Sequence, residues 1–246
     1  FIFAVSLLAT GSLFASVTEE ETFSYTLDDG GRFSISNVNG SITVTGGKGN
    51  QVEIVAIKKA DSQKELDEID IEISHSANEI VVETELGESH GWFSSGHNSG
   101  QIKYNVTVPS GTVLESVETV NGDVTISGVS GKVVAESVNG ELNISDLADD
   151  VRLTTVNGGI NAAFSRCGGQ QNIRAETING RITMTLPADA DVSINADTLN
   201  GGINGKDFGL EADKGFVGSD LRGNIGSGSA SINIDTVNGS IKIRSH

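Results

Sequence analysis

Residues 133–160 read VVAESVNGELNISDLADDVRLTTVNGGI. Two Val-Asn-Gly triplets, at Asn139 and Asn157, stand 18 residues apart, and the residues around them match position for position. Four before each Asn the side chain is apolar (Ala135, Leu153), two before it is a small hydroxyl (Ser137, Thr155), and three after it is apolar again (Leu142, Ile160). Successive side chains of a strand face opposite sides, so alternation at period two around each triplet predicts two short strands per unit. A helix is excluded because nothing recurs at about 3.6 residues.

Working outward from this pair, the signature recurs until there are seven in register: Asn39-Gly40, Asn121-Gly122, Asn139-Gly140, Asn157-Gly158, Asn179-Gly180, Asn200-Gly201 and Asn238-Gly239. The other apolar positions are Ile35, Val117, Ala175, Ala196 and Ile234 before the triplet, and Ile42, Val124, Ile182, Ile203 and Ile241 after it. The hydroxyl column adds Thr119, Thr177, Thr198 and Thr236, with Asn37 the exception. A further match, Ile203-Asn204-Gly205, is out of phase. Fixed-period self-similarity of this kind marks a repeat architecture. Intervals of 22 and 21 residues do not fit a helix of hexapeptides, which leaves an all-β, parallel β-solenoid of about 20 residues per coil. One coil buries too few aliphatic side chains to offset the ordering of its own backbone, so coils must stack.

This reading carries several structural expectations. The long intervals of 82 and 38 residues read as multiples of the period, with unmarked coils inside them. Arg222-Gly223-Asn224-Ile225 reads as one such coil with a degenerate signature. The parity of the alternation shifts at the Thr-Val junction, so the chain turns a corner where Asn and Gly supply a left-handed or strained backbone. The stacked Asn amides, and the hydroxyls before them, are expected to bond to backbone groups of adjacent coils.

Between Asn50 and Gly111 the pattern loosens. QVEIVAIKKA, IDIEIS, EIVVETEL and QIKYNVTVP read as strands, SQKELDE as a loop or one helical turn, and ESHGWFSSGHNSG as an exposed loop. The region reads as longer coils or as a sheet capping the stack. The chain thus divides into residues 1–15, an irregular β region over 16–116 and regular repeats over 117–246, the last two forming one continuous domain.

Phe1 to Ala15, FIFAVSLLATGSLFA, is nearly all apolar and is followed by SVTEEET. It reads as the remnant of a secretory signal peptide cleaved after Ala15, although Leu13 is large for its place before the cut. A membrane span needs about 20 apolar residues. The expectation is an exported protein, periplasmic, secreted or at the cell surface, with no integral span after cleavage. Cys167 is the one cysteine, so no disulfide forms within the chain and the thiol reads as a passive turn or core residue. With 33 acidic against 16 basic residues the net charge is −17, which repels nucleic acid and anionic membranes. Glycine at 31 residues and proline at two fit many tight turns between short strands.

No H-E-x-x-H helix, G-x-S-x-G elbow or phosphate loop occurs, so no catalytic residue is assigned. Four histidines and one cysteine, scattered, make no zinc set; His90 and His97 flank Trp92 in the inserted loop. One outward column does suggest binding. Three residues before each Asn stand Ser36, Glu118, Glu136, Thr154, Glu176, Asp197 and Asp235, with coils about 4.8 Å apart. Such a row fits calcium or another divalent cation, or a cationic or sugar partner; the alternative is a plain solvated acidic face. Arg152 and Arg174, two positions earlier, relieve part of the repulsion. An outward Thr43, Thr125 and Thr183 column is interrupted by Asn143, Asn161, Asn204 and Lys242, so no flat threonine array for ice forms.

SNVNGSITVTG at residues 36–46, YNVTVP at 104–109 and the tandem Val-Asn-Gly coils after it resemble the bacterial putative-adhesin family of β-strand-repeat proteins, from about Phe23 to the C-terminus. That resemblance implies a right-handed parallel β-helix-like fold, export or surface display, and adhesion without catalytic residues or cofactors. GWFSSGHNSG at residues 91–100 has no counterpart in the family pattern. The function expected is that of a non-enzymatic, adhesin-like protein whose solenoid face binds a glycan, a matrix component or a partner protein at the cell envelope. A structural or stress-associated envelope protein without a small ligand, and a polysaccharide-acting enzyme, are the alternatives.

Overall fold

A computed structural model describes residues 16–87, 100–215 and 217–246. The apolar Phe1–Ala15 stretch and the His90, Trp92 and His97 loop lie outside the described residues. Each Val-Asn-Gly unit folds as anticipated into two strands meeting at a corner. The Asn139 coil, for example, consists of Val133–Asn139 and Leu142–Leu147. The first strands of all coils join one 11-stranded sheet and the second strands a 10-stranded sheet. Facing coils pair in parallel and in register, as with Ala135 against Leu153 and Leu142 against Ile160. The apolar columns on either side of the triplet close one hydrophobic cluster that runs from Leu27 to Ile243.

The order of the stack differs from the order of the sequence. The Asn39 coil, Arg32–Asn39 with Ile42–Gly47, lies directly on the Asn121 coil, Val113–Asn121 with Val124–Ser127. No unmarked coil therefore separates Asn39 from Asn121 in the stack. The intervening chain leaves the growing stack and covers its far side. Glu79–Leu86 and Gln101–Pro109 add one coil beyond Asn39, parallel to Arg32–Asn39 and Ile42–Gly47. Antiparallel strands finish the end: Ile69–His75 on one sheet, Gln51–Ala60 and then Val17–Thr26 on the other. The turn between them is the short helix Gln63–Asp67, capped by the Ser62 hydroxyl accepting from the Glu65 amide and pinned by buried Leu66. A buried lysine is paired here: the Lys58 ammonium meets the half-buried Glu21 at 2.5 Å and donates to the Ile69 carbonyl at 3.1 Å.

The other end shows the same departure. The Asn238 coil, Ala230–Asn238 with Ile241–Ser245, sits between the Asn179 coil and the Asn200 coil. Unlike the 82-residue interval, which holds the unmarked coil of Glu79–Leu86 and Gln101–Pro109, the 38-residue interval holds none among the described residues. Arg222 to Ile225, read from sequence as a degenerate coil, belongs to Ser219–Ile225, which runs antiparallel to Val192–Asn200 and ends the sheet with Asp213–Lys214. Without a triplet corner the segment has nothing to turn it into the second sheet, and it folds back as a hairpin.

The corners correct the backbone expectation. Among the triplet glycines only Gly40 has a positive φ, at 123°. What the column requires is proximity: a Cβ on Gly158 would lie 1.8 Å from the Gly140 carbonyl oxygen, and the same holds for Gly180 on Gly158. The alternation also persists one residue further than expected. The hydroxyl residue points inward, and the aliphatic residue after it is outward, with Val120 at 40% and Leu199 at 51% exposure.

Cys167 is buried, and burial pushes its thiol up to about 12, which keeps it protonated and unreactive.

Candidate functional site

In space the acidic column reads Ser36, Glu118, Glu136, Thr154, Glu176, Asp235, Asp197, each paired in register with the next. The row extends at both ends to residues that carry no triplet marker: Glu83 stands opposite Ser36, and Asp220 opposite Asp197. Sequence reasoning missed these two because the strands that carry them lack an Asn to align on. With about 4.8 Å between strands, adjacent carboxylates repel by on the order of 1 kcal/mol even in water. Compensation is local. The Arg174 guanidinium donates to Glu176 at 2.6 Å, and the Ser116 hydroxyl donates to Glu118. Arg152 stands in register with Arg174 on the adjacent strand.

Among the described residues Asp235 has no such partner of its own, and it stands between Glu176 and Asp197 in the densest stretch. Partial burial, then the charges of Glu176 and Asp197, raise its pKa above the ordinary 3.8, with Arg174 opposing. Since the folded value lies above the unfolded one, the Asp235 charge costs stability at neutral pH, and that cost disappears as pH falls through the raised value. Asp235→Asn is expected to melt slightly higher than the native protein at pH 7, by less than ~1 kcal/mol given solvent screening. The gap should close as the pH is lowered toward 4. Thermal melts of both proteins at stepped pH check this; a gap that widens in acid would reverse the sign.

A second stripe runs beside the carboxylates. Val120, Val138, Ile178, Val237 and Leu199 are all exposed at between 39% and 51%, one per coil. The sequence shows these residues as part of the triplet but gives no sign that they face solvent, because strand interiors favour the same side chains. Between the two stripes lies an open groove of about 650 Å³ lined by Glu176, Asp197, Asp220, Asp235 and the aliphatic side chains Ile178, Leu199 and Val217.

The Asn column forms the far border of the aliphatic stripe. Its amides bond mainly to one another, Asn121 donating to Asn39, Asn139 to Asn121, Asn157 to Asn139 and Asn179 to Asn157, each at 2.9 Å, while Asn39 at the end of the ladder donates to the Gly100 carbonyl at 3.3 Å. The ladder then follows the spatial order, with Asn238 donating to Asn179 and Asn200 to Asn238 at 2.8 Å. An identical amide in register on each side offers both a donor and an acceptor at the strand spacing. The hydroxyls do reach backbone, Thr155 donating to the Gly140 carbonyl at 3.1 Å and Thr177 to that of Gly158 at 3.0 Å. Asn37, the odd member, spans two carbonyls, those of Gly40 and Ile102.

Among the described residues no three His, Cys, Asp or Glu side chains are grouped to hold a metal ion. A row spaced along an axis offers carboxylates side by side instead of converging on one point, which is what calcium needs. No helix among the described residues is long and apolar enough to cross a membrane.

Residues 16–244 match the model of the Toastrack DUF4097 family. The chain belongs to that family. Two solved structures resemble this Toastrack chain. A "putative cell adhesion protein" from Clostridium sporogenes is 14% identical, with 92% of this chain and 100% of that one covered and a TM-score of 0.51. A "putative adhesin" from Bacteroides fragilis is 12% identical, with 91% and 96% covered and a TM-score of 0.43. At 14% identity the likeness to the Clostridium sporogenes structure is one of fold. Among proteins of curated function none matches the chain.

Proposed function

We propose that this Toastrack chain is a non-enzymatic, adhesin-like module that acts at the cell envelope, binding a glycan, a matrix component or a partner protein through the outward face of its 11-stranded sheet. One observation carries the reading. The face bears an acidic stripe and an exposed aliphatic stripe along the stacking direction, with an open groove between them. Contiguous apolar surface rimmed by charge is characteristic of interaction sites. Surface carboxylates in a row, without a converging acid and base pair, suit recognition better than bond cleavage. Export and display at the envelope rest on the apolar Phe1–Ala15 stretch. The one hydrophobic cluster supports treating residues 16–246 as one continuous domain.

The test is a binding screen of the protein against arrayed bacterial and host-type glycans, matrix components and envelope proteins, each in calcium and in chelator. Reproducible binding is expected, reduced at least about tenfold when Glu118, Glu136 and Glu176 are changed together to Gln. Binding that is untouched by these three changes would move the site off this face. Depolymerisation of any glycan on the array would refute the non-enzymatic reading.

A further inference from the structure

The occupant of the groove can be narrowed by charge and by spacing. We propose that the face docks a cationic amphipathic helix lying along the solenoid axis, its apolar side chains on the aliphatic stripe and its Lys or Arg side chains on the carboxylates. The proposal deepens the functional reading above and rests on it.

Charge fixes the sign of the partner. The chain carries −17 overall, and Glu176, Asp235, Asp197 and Asp220 stand in consecutive register along the groove. Nucleic acid, anionic lipid and a second copy of this chain would all bring negative charge to that row and be repelled. A cationic partner gains steering from the same field. Charge alone does not account for the neighbouring stripe. Ile178 at 47% and Leu199 at 51% exposure are costly to leave in water, and they border the carboxylates for the whole length of the groove. The partner must therefore present an apolar line and a basic line side by side, which is the pattern of an amphipathic helix flanked by Lys or Arg.

Spacing fixes its shape. The stripe offers one aliphatic side chain per coil, about every 4.8 Å. A helix lying along it offers one apolar side chain per turn, about every 5.4 Å. A strand in the same direction offers one per two residues, about every 6.6 Å. From Val120 to Leu199 there are five coil spacings, in the order Val138, Val156, Ile178, Val237. Over that distance a helix drifts by about 3 Å, within the reach of flexible side chains, whereas a strand drifts by about 9 Å and loses register by nearly two coils. A helix of about 20 residues, roughly 30 Å long, covers those coils.

The probe is a fluorescent 21-residue Leu/Lys peptide with leucines at helical spacing, titrated into the protein and followed by anisotropy and circular dichroism. Two controls share its length: the same composition permuted to strict alternation, and the helical pattern with Glu in place of Lys. Binding in the micromolar range with a gain of helicity is expected, about tenfold weaker for the alternating peptide and undetectable for the Glu peptide. The pair Ile178→Asn and Leu199→Asn should cost about tenfold or more, as should the pair Glu176→Gln and Asp197→Asn. All four residues are solvent-facing, and unchanged melting of both double variants verifies that the stack is intact. Equal binding of the patterned and alternating peptides, or indifference to the Ile178 and Leu199 pair, would reduce the effect to bare charge attraction and overturn the proposal. Failure of the helical peptide together with glycan or matrix binding in the separate screen would sink the helix and leave the broader function standing.

Discussion

Gly158→Ala is expected to destabilise the protein by ~3–5 kcal/mol, lowering its melting temperature by about 10 °C or more, although it adds one methyl group. The new Cβ would lie 1.8 Å from the Gly140 carbonyl oxygen and 2.6 Å from its carbon. Neither atom belongs to a flexible side chain. Relief requires the two coils to separate by more than about 1 Å at the corner, which a close-packed interior resists. Three hydrogen bonds converge on that spot: Thr155 to the Gly140 carbonyl at 3.1 Å, the Asn157 amide to Asn139 at 2.9 Å, and the Gly158 amide to the Asn179 carbonyl at 3.1 Å. Each is worth on the order of 1 kcal/mol, and the buried Thr155 hydroxyl is costly to leave unpaired. The internal control is Gly202→Ala. Nothing lies within 4 Å of a Cβ at Gly202, and its φ is not in the positive range. That change should be neutral or slightly stabilising, because the unfolded chain loses freedom. Melting curves of the two variants decide the matter. Equal small effects would mean that the corner glycines serve conformation and not approach.

Both the strength and the weakness of the sequence as a guide come from repetition. Gln51–Ala60, Glu79–Leu86 and Gln101–Pro109 are the strands that the alternation predicts, residue for residue, and the inward columns around the triplets are buried except at Ile203, which is half-buried. Period-two patterning reports burial directly, so it reads well. The order of the coils does not read at all. Each coil presents the same apolar positions and the same Asn, hydroxyl and Gly, so nothing in one coil says which other coil it faces. That information lies in the connections. The antiparallel strands Gln51–Ala60 and Ile69–His75 and the hairpin of Ser219–Ile225 are where the chain leaves the simple winding. The corner glycines misled for a different reason. Gly answers two needs, a positive φ and a near neighbour, and a sequence shows the residue without showing which need it meets. Of the candidate site, the carboxylates Glu118, Glu136, Glu176, Asp197 and Asp235 were legible because each has a fixed offset from its Asn. Glu83 and Asp220 were not, since they enter the row from unmarked strands. The aliphatic stripe was in plain sight, and its exposure was not.

Removing residues 230–246 is expected to do far more than trim one coil from the end of a stack. In a solenoid wound in sequence order the last coil has one neighbour, and its loss leaves the rest paired as before. Here Ala230–Asn238 is the parallel partner of Asn172–Asn179 on one side and of Val192–Asn200 on the other. Its deletion exposes the coil beneath and detaches everything from Val192 to Ile225. Ile232, Ile234, Ile241 and Ile243 are each 1% exposed, and their loss alone removes ~6–12 kcal/mol of apolar burial before the freed coils are counted. Net stabilities of whole domains are about 5–15 kcal/mol. The Asn200 coil is held in place from the chain side by Asp191, whose carboxylate accepts from the Ser227 hydroxyl at 3.0 Å and the Gly228 amide at 2.7 Å. Those bonds clamp the connection that delivers the final coil into its slot; hydrogen bonding from Ser229 first, then from Ser227 and the Gly228 amide, depresses the Asp191 pKa to about 2. Hydrogen exchange on the truncated protein is expected to show fast exchange throughout 192–225, with protection retained from the Asn39 coil to the Asn157 coil. The alternative outcome is equally informative. The Asn200 coil has the same inward columns as the coil it would replace, so it could slide down and dock on the Asn179 coil. A truncated protein that melts within a few degrees of the full chain, with 192–204 still protected, would mean that the repeats specify stacking but that the final coil alone enforces its order.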